Sequence, residues 1–163
     1  MNVLVCAARG RRLSEPLRLL PGLPERPAYS GLKNPDGSRH APSTVPRGAS
    51  AVDPAPSGAP FVPHPDPERM GYAIPGVCLG DADGRSLMPA GPHDTWVVHP
   101  EDTRDFLASN DACRETGCCG ASGTHGPNLV CPGCRAEVAT LFADCSGPYE
   151  THLLPAAVRA VPA

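Results

Sequence analysis

The chain is short of the residues that fill a core. Aromatic side chains make up 4% of 163 residues, with a single tryptophan, so the bulky anchors that dominate small cores are nearly missing. Leu, Ile, Val and Phe together number 30, few enough to make a large buried core hard to assemble. The hydrophobic fraction of 40% leans on alanine, which buries little area per residue. Uninterrupted apolar runs are short throughout, which argues against a membrane span. The opening Met1–Cys6 is too brief for the apolar part of a signal peptide and has no basic residues ahead of it. These shortages give the expectation of a soluble, cytoplasmic protein with reduced thiols and no membrane contact.

Lysine is also scarce. Thirteen of the 14 basic residues are arginine, but alanine, proline and glycine are abundant as well, as GC-rich coding produces, so the bias is no signature of phosphate binding. Residues 1–50 hold 8 basic against 3 acidic side chains, and the remaining residues 6 against 14. A basic arm on an acidic body permits contact with nucleic acid or an acidic protein surface. Spread over fifty residues, the same charge also suits a solvated tail.

Proline (22), glycine (17) and cysteine (8) are what the chain has in plenty. Twelve of the prolines fall within residues 21–70, where no helical or strand period is sustained. Proline at this density fixes φ and removes amide donors, so a long Pro/Gly-rich irregular linker is expected there, with a turn at Asn34-Pro35-Asp36-Gly37. Ahead of it, residues 2–6 read as a strand and Ser14–Leu20 as a short capped helix. Order is expected to return over Tyr72–Leu79, a β-leaning run interrupted by Pro75-Gly76. Asp81–Arg85 reads as a hairpin turn, because the distal acid of a calcium loop is missing. Thr95–Val98 is the strongest strand pattern. His99-Pro100-Glu101-Asp102 then suggests a helix start, whose acids suit the positive end of a helix dipole better than they suit acid–base catalysis.

Six cysteines crowd into residues 113–145, as Cys113-x4-Cys118-Cys119-x11-Cys131-x2-Cys134-x10-Cys145. In a reducing compartment, thiolates at this spacing are more often metal ligands than disulfides. Cys131-Pro132-Gly133-Cys134 is a turn that lets both sulfurs converge on one ion. A tetrahedral zinc ion needs a second pair. Adjacent cysteines diverge in extended backbone, so that pair is expected to be one of Cys118 and Cys119 together with Cys145, with Cys113 in reserve and His125 as a possible substitute. Gly120, Gly123 and Gly126 read as a ribbon loop, since no P-loop lysine follows. The exit segment Arg135–Asp144 fits both a strand and a helix, since Val138, Leu141, Phe142 and Cys145 follow helical spacing while Ala136, Val138, Thr140 and Phe142 alternate as in a strand. A C-x-x-C at a helix start is redox geometry and at a hairpin tip zinc geometry, and the absence of a βαβ pattern favours the strand. Glu150–Leu154 reads as a strand and Pro155–Val161 as a terminal helix.

Cys6-Ala7-Ala8-Arg9-Gly10 has the outline of another zinc knuckle, with arginine where the second cysteine belongs. It is either a knuckle that has lost a ligand or a chance likeness. Residues 118–149, with their GCCG, GPNLVCPGC and ADCSGPYE segments, resemble the zinc-ribbon-type cysteine block of small uncharacterised proteins from high-GC bacteria. That resemblance implies a metal-binding block and an N-terminal cysteine knuckle, from which Arg9 departs, and brings no particular activity with it.

The expected fold is therefore a small, mainly-β, zinc-ribbon-like C-terminal module with short helices, preceded by a long Pro/Gly-rich irregular segment. It divides into an N-terminal strand and degenerate knuckle (1–20), a proline-rich linker (21–70) and a β-rich domain (71–163) with its cysteine module at 113–145. The expected function is non-enzymatic: a structural Zn2+ held by Cys118 or Cys119 with Cys131, Cys134 and Cys145 maintains a module that binds a protein partner. The alternatives are a nucleic-acid-binding ribbon with a basic arm, and thiol redox chemistry at Cys131/Cys134 or at the Cys118–Cys119 pair.

Overall fold

A computed structural model describes residues 1–69, 80–113 and 117–163. The β-leaning run over Tyr72–Leu79, with Cys78, lies outside the described residues.

The architecture is mainly β. Its strands are β1 (Asn2–Cys6), β2 (Arg18–Leu19), β3 (Ala49–Asp53), β4 (Phe61–Pro63), β5 (Leu87–Pro89), β6 (Thr95–Val98), β7 (Ala108–Ser109), β8 (Leu129–Val130), β9 (Glu137–Phe142), β10 (Glu150–Leu153) and β11 (Val158–Pro162). One sheet joins seven of them in the order β2-β3-β6-β10-β9-β8-β7, antiparallel except for the β2–β3 pair. β1 pairs with β11 in a separate antiparallel ribbon, Asn2 against Pro162 and Cys6 against Val158. β4 and β5 pair antiparallel as a small two-stranded sheet, and just ahead of β5 the turn at Asp81–Gly84 closes the bridge between Gly80 and Ser86.

The expected short helices are not formed among the described residues. Only Pro100–Asp102 makes a turn of 3-10 helix, capped by the His99 side chain, which accepts from the Glu101 amide at 3.1 Å. The Ser14–Leu20 stretch is extended instead. Ser14 is fully buried, its hydroxyl accepting from the Leu4 amide at 2.9 Å, and Leu17 exchanges backbone bonds with Asn2. Strand pairing with β1 satisfies those backbone groups and buries Leu13 and Leu17, which outweighs the weak helical signal of a seven-residue segment. Beyond Pro155 the chain likewise turns into β11, because β1 offers it an unpaired edge.

The stretch read as irregular linker contains two strands, β3 and β4. β3 lies between β2 and β6, aligning Ser50 with Val98 and Asp53 with Thr95. Ala49 and Ala51 are buried beside Val45 and Val97. Five small residues carry little pattern, and pairing with β6 rather than intrinsic propensity makes them a strand. The Asn34–Gly37 turn closes as expected, by a bond from the Gly37 amide to the Asn34 carbonyl.

The larger core gathers Leu4, Cys6, Leu13, Leu17, Val98, Cys131, Val138, Leu153 and Val158, with Trp96 and Cys134 packed against it. Two of its fully buried members are thus cysteines, and the β1–β11 ribbon meets the main sheet there.

A buried polar network fastens the proline-rich stretch to β10. Glu150 is fully buried and accepts from Arg26 Nε at 2.9 Å, from the Thr44 hydroxyl and from His152 Nε2 at 2.6 Å. Arg26 also reaches Asp53 at 3.0 Å. The other ring nitrogen of His152 is shared by Ser57 at 3.0 Å and the buried Thr95 at 2.8 Å, which pins the ring from two sides. Burial alone raises the pKa of a carboxylate. Here the His152 and Arg26 contacts overcome it and hold Glu150 down to about 2. Arg26, Thr44, Asp53 and Ser57 all come from residues 21–70, so hydrogen bonds hold a stretch that has few apolar anchors.

Candidate metal centres

The knuckle expected at Cys131–Cys134 is formed as a turn between two strands. β8 ends at Val130, Cys131-Pro132-Gly133-Cys134 forms the hairpin tip, and β9 leads away. The Arg135 amide bonds to the Cys131 carbonyl at 2.8 Å, and the Cys131 amide to the Ala136 carbonyl at 2.9 Å. Arg135 takes a positive φ of 61°.

Residues 6–11 repeat that construction. The Gly10 amide bonds to the Cys6 carbonyl at 2.7 Å and the Cys6 amide to the Arg11 carbonyl at 2.8 Å, with Gly10 at φ 65°. Both turns therefore close with the same two offsets and place a left-handed residue at the same step. Glycine adopts that conformation without strain. The Cys6–Gly10 outline is a folded knuckle in which Arg9 stands at the position Cys134 occupies in its counterpart.

The two knuckles converge. Cys6, Cys131 and Cys134 place their sulfurs within 4.8 Å of one another, and Cys6 Sγ is 3.7 Å from Cys134 Sγ. Four thiolates about 2.3 Å from a tetrahedral metal ion such as zinc stand about 3.8 Å apart, so the Cys6–Cys134 separation is that of two sulfurs able to share one ion. Cys6 and Cys131 are 1% and 0% exposed. Burial pushes the Cys131 thiol up, but the amides of Gly133 and Cys134 and the neighbouring thiols outweigh it and hold the group below its ordinary value. Amides aimed at sulfur stabilise thiolate, the form that binds metal.

The remaining expected ligands assemble elsewhere. Cys118, Cys119 and Cys145 form a separate group with Asp144. Cys118 Sγ lies 3.1 Å from Cys145 Sγ and 3.5 Å from Cys119 Sγ. The neighbours are thus brought together, contrary to the expectation that adjacent cysteines diverge. Asp144 achieves this from the end of β9: it accepts from the Cys119 amide at 2.7 Å and from the Ser146 hydroxyl at 2.9 Å, curling the loop over Cys145. The glycine loop helps, since a β-carbon on Gly123 would stand 2.1 Å from the Phe142 ring. Cys118 and Cys119 are exposed. Contact with Cys145 pushes the Cys118 thiol up, which makes it slower to ionise.

A single site uniting Cys131 and Cys134 with Cys118 or Cys119 and Cys145 is not what the fold builds. The sequence yields two candidate centres, and the described residues of both can hold a metal ion. Asp144 was missed, although its place beside Cys145 was the available signal. Cys113 and His125 join neither group among the described residues; the Cys113 thiol approaches the His125 carbonyl, and the His125 ring meets Thr124.

The basic arm is thinner than its formal charge. Arg12 pairs with Glu15, Arg26 with Glu150 and Asp53, and Arg47 with Asp102 at 2.5 Å. No helix among the described residues is long and apolar enough to cross a membrane. Comparison with family models, curated proteins and solved structures returned no match for this chain, so these centres are read from their own geometry.

Proposed function

We propose that this is a zinc-binding protein in which a structural ion at Cys6, Cys131 and Cys134 holds together a small, non-enzymatic module for binding a protein partner. The observation that carries the reading is the matched pair of knuckle turns, whose sulfurs meet at a ligating separation inside the core. A chain with so little apolar bulk gains from a metal what its core lacks. An ion there would tie β1 to the β8–β9 hairpin across more than a hundred residues, and closing so long a loop restricts the unfolded chain strongly.

Cys118, Cys119, Cys145 and Asp144 offer a second set of donors at the surface. The knuckle set is the stronger candidate, because Cys6 and Cys131 are buried in the core and the two matched turns bring their sulfurs and that of the half-buried Cys134 together. Redox chemistry at Cys131 and Cys134 is disfavoured by the burial of Cys131 and by its hairpin setting.

Metal analysis of the purified chain is the test. At least one tightly held zinc per chain is expected, and a strong chelator should lower the melting temperature. Metal-free protein whose melting temperature ignores both zinc and chelator would overturn the reading.

A further inference from the structure

We infer that the ion held by the two knuckles takes its fourth ligand as a thiolate from another molecule, at the position where Arg9 replaces cysteine. The inference rests on the zinc reading of Cys6, Cys131 and Cys134, and concerns what completes that centre.

Three observations lead to it. First, the turns match bond for bond, so the residue at Arg9's step is where the fourth sulfur of a symmetric four-cysteine centre would arise. Second, among the described residues no other cysteine, histidine or acid brings a ligand atom within 4.8 Å of all three sulfurs. Third, the tips of both turns face solvent: Ala8, Arg9, Gly10, Pro132 and Gly133 are exposed, while Cys6 and Cys131 beneath them are buried. The position left by Arg9 is therefore on the outer side, within reach of a second molecule.

The surroundings select the class of donor. Zinc with three thiolates carries one negative charge, and a fourth thiolate makes it two. That extra charge needs compensation, and guanidinium groups supply it well, being permanently charged and multiply donating. Arg9 and Arg11 belong to the first turn, and the Arg11 side chain lies 3.3 Å from where a β-carbon on Gly133 would stand, whereas Arg135 of the second turn is paired with Asp111 at 2.8 Å. Two arginines beside a three-sulfur set suit an anionic, soft donor. On binding, the incoming thiol releases its proton to solvent and its sulfur forms one bond to the ion in place of water; no electron is transferred. The donor is either a free low-molecular-weight thiol or a cysteine side chain of a polypeptide.

Cobalt(II) replaces zinc in such sites and reports the number of bound sulfurs in its absorption. The full-length chain is loaded with cobalt under a thiol-free phosphine reductant. It is then titrated with 2-mercaptoethanol and, separately, with the peptide Gly-Gly-Cys-Gly-Gly and its serine counterpart. A parallel chain in which Cys78, Cys113, Cys118, Cys119 and Cys145 are all changed to serine isolates the knuckle centre. Both chains are expected to show a red shift of the ligand-field bands and a rise of about one third in sulfur-to-cobalt charge transfer, as three thiolates become four. The serine peptide should do nothing. Saturation at lower concentration by the cysteine peptide than by 2-mercaptoethanol assigns the donor to a polypeptide, and the reverse assigns it to a free thiol. Arg9→Cys should display the four-thiolate spectrum with nothing added and lose the response, whereas Arg9→Ala should keep it.

A cobalt-loaded wild-type chain that is already four-thiolate and indifferent to added thiol would mean that another cysteine of the chain fills the position. Bound cobalt in the isolated centre with no thiol response would equally overturn the inference. Either result leaves the zinc reading standing. Failure of the isolated centre to bind cobalt at all would remove both.

Discussion

The two cysteine groups use similar donors and differ in nearly everything else. At the knuckles the thiols are anchored by two hairpin turns, Cys6 and Cys131 belong to the core, and Cys6 Sγ stands 3.7 Å from Cys134 Sγ. At the surface the thiols ride on a loop curled by Asp144, Cys118 and Cys119 are exposed, and the closest sulfurs are 3.1 Å apart. Backbone amides outweigh burial and favour thiolate at Cys131, whereas neighbouring thiols disfavour it both at Cys134 and, in the surface group, at Cys118. The lesson is that cysteine spacing gives the supply of ligands, while strand pairing and turn geometry decide which sulfurs meet and whether they meet in the core or at the surface.

The largest effect should come from Cys131→Ser. Removing one of three knuckle sulfurs is expected to abolish the tight zinc. It forfeits much of a binding free energy on the order of 10 kcal/mol in structural zinc sites, and should lower the melting temperature by about 10 °C or more. Metal analysis and calorimetry check this together; unchanged zinc content would break the contrast between the groups.

Glu150→Gln separates loss of fold from loss of metal. It weakens a fully buried network and leaves Arg26 undercompensated, with an expected cost of about 3 kcal/mol. Zinc content should remain at the wild-type level, because no knuckle residue is touched. A denaturant titration gives the stability, and zinc lost at concentrations where the chain is still folded would show that the two regions are coupled.

Acid should act on the same carboxylate. Glu150 is held down to about 2, below its ordinary 4.5. Its contribution is therefore fully present above about pH 4.5 and is lost as the pH falls toward 2, amounting to about 3 kcal/mol. Stability measured from pH 5 to 2 in the Cys131→Ser background isolates this slope from metal release, and adding Glu150→Gln should flatten it.

The smallest effect is expected from replacing Cys118, Cys119 and Cys145 together by serine. The loss should stay within about 1 kcal/mol, as for exposed positions generally, with the knuckle zinc retained. A drop in melting temperature comparable to that of Cys131→Ser would make the surface group the structural centre and reverse the comparison.

Several elements were legible because their causes are local. Asn2–Cys6 and Thr95–Val98 have the apolar, β-branched character that strand pairing rewards, Glu150–Leu153 is a strand as read, and Asn34–Gly37 closes by turn chemistry. Ala49–Asp53 was hidden because small residues carry no pattern until β6 pairs with them. Of the three segments read as helices, the one starting at His99 forms no more than a 3-10 turn at Pro100–Asp102, and the other two, too short to nucleate alone, took the backbone partners that strand β1 offered.

The amino-acid sequence by itself determined the knuckle turn at Cys131–Cys134, the outline of a second at Cys6–Gly10, the mainly-β character, and a core too poor in large side chains to be indifferent to a metal. Each follows from the chemistry of a few adjacent residues or from composition. Which cysteines share a centre was decided only by the tertiary structure. Cys6 reaches Cys134 because β1 pairs with β11 and buries Leu4 against Val138 and Leu153, a choice made by burial across the whole chain. Cys118, Cys119 and Cys145 are gathered apart from them because Asp144 collects amides from the neighbouring loop. Local spacing cannot encode either outcome, since the partners lie far apart in sequence and meet only when the sheet closes.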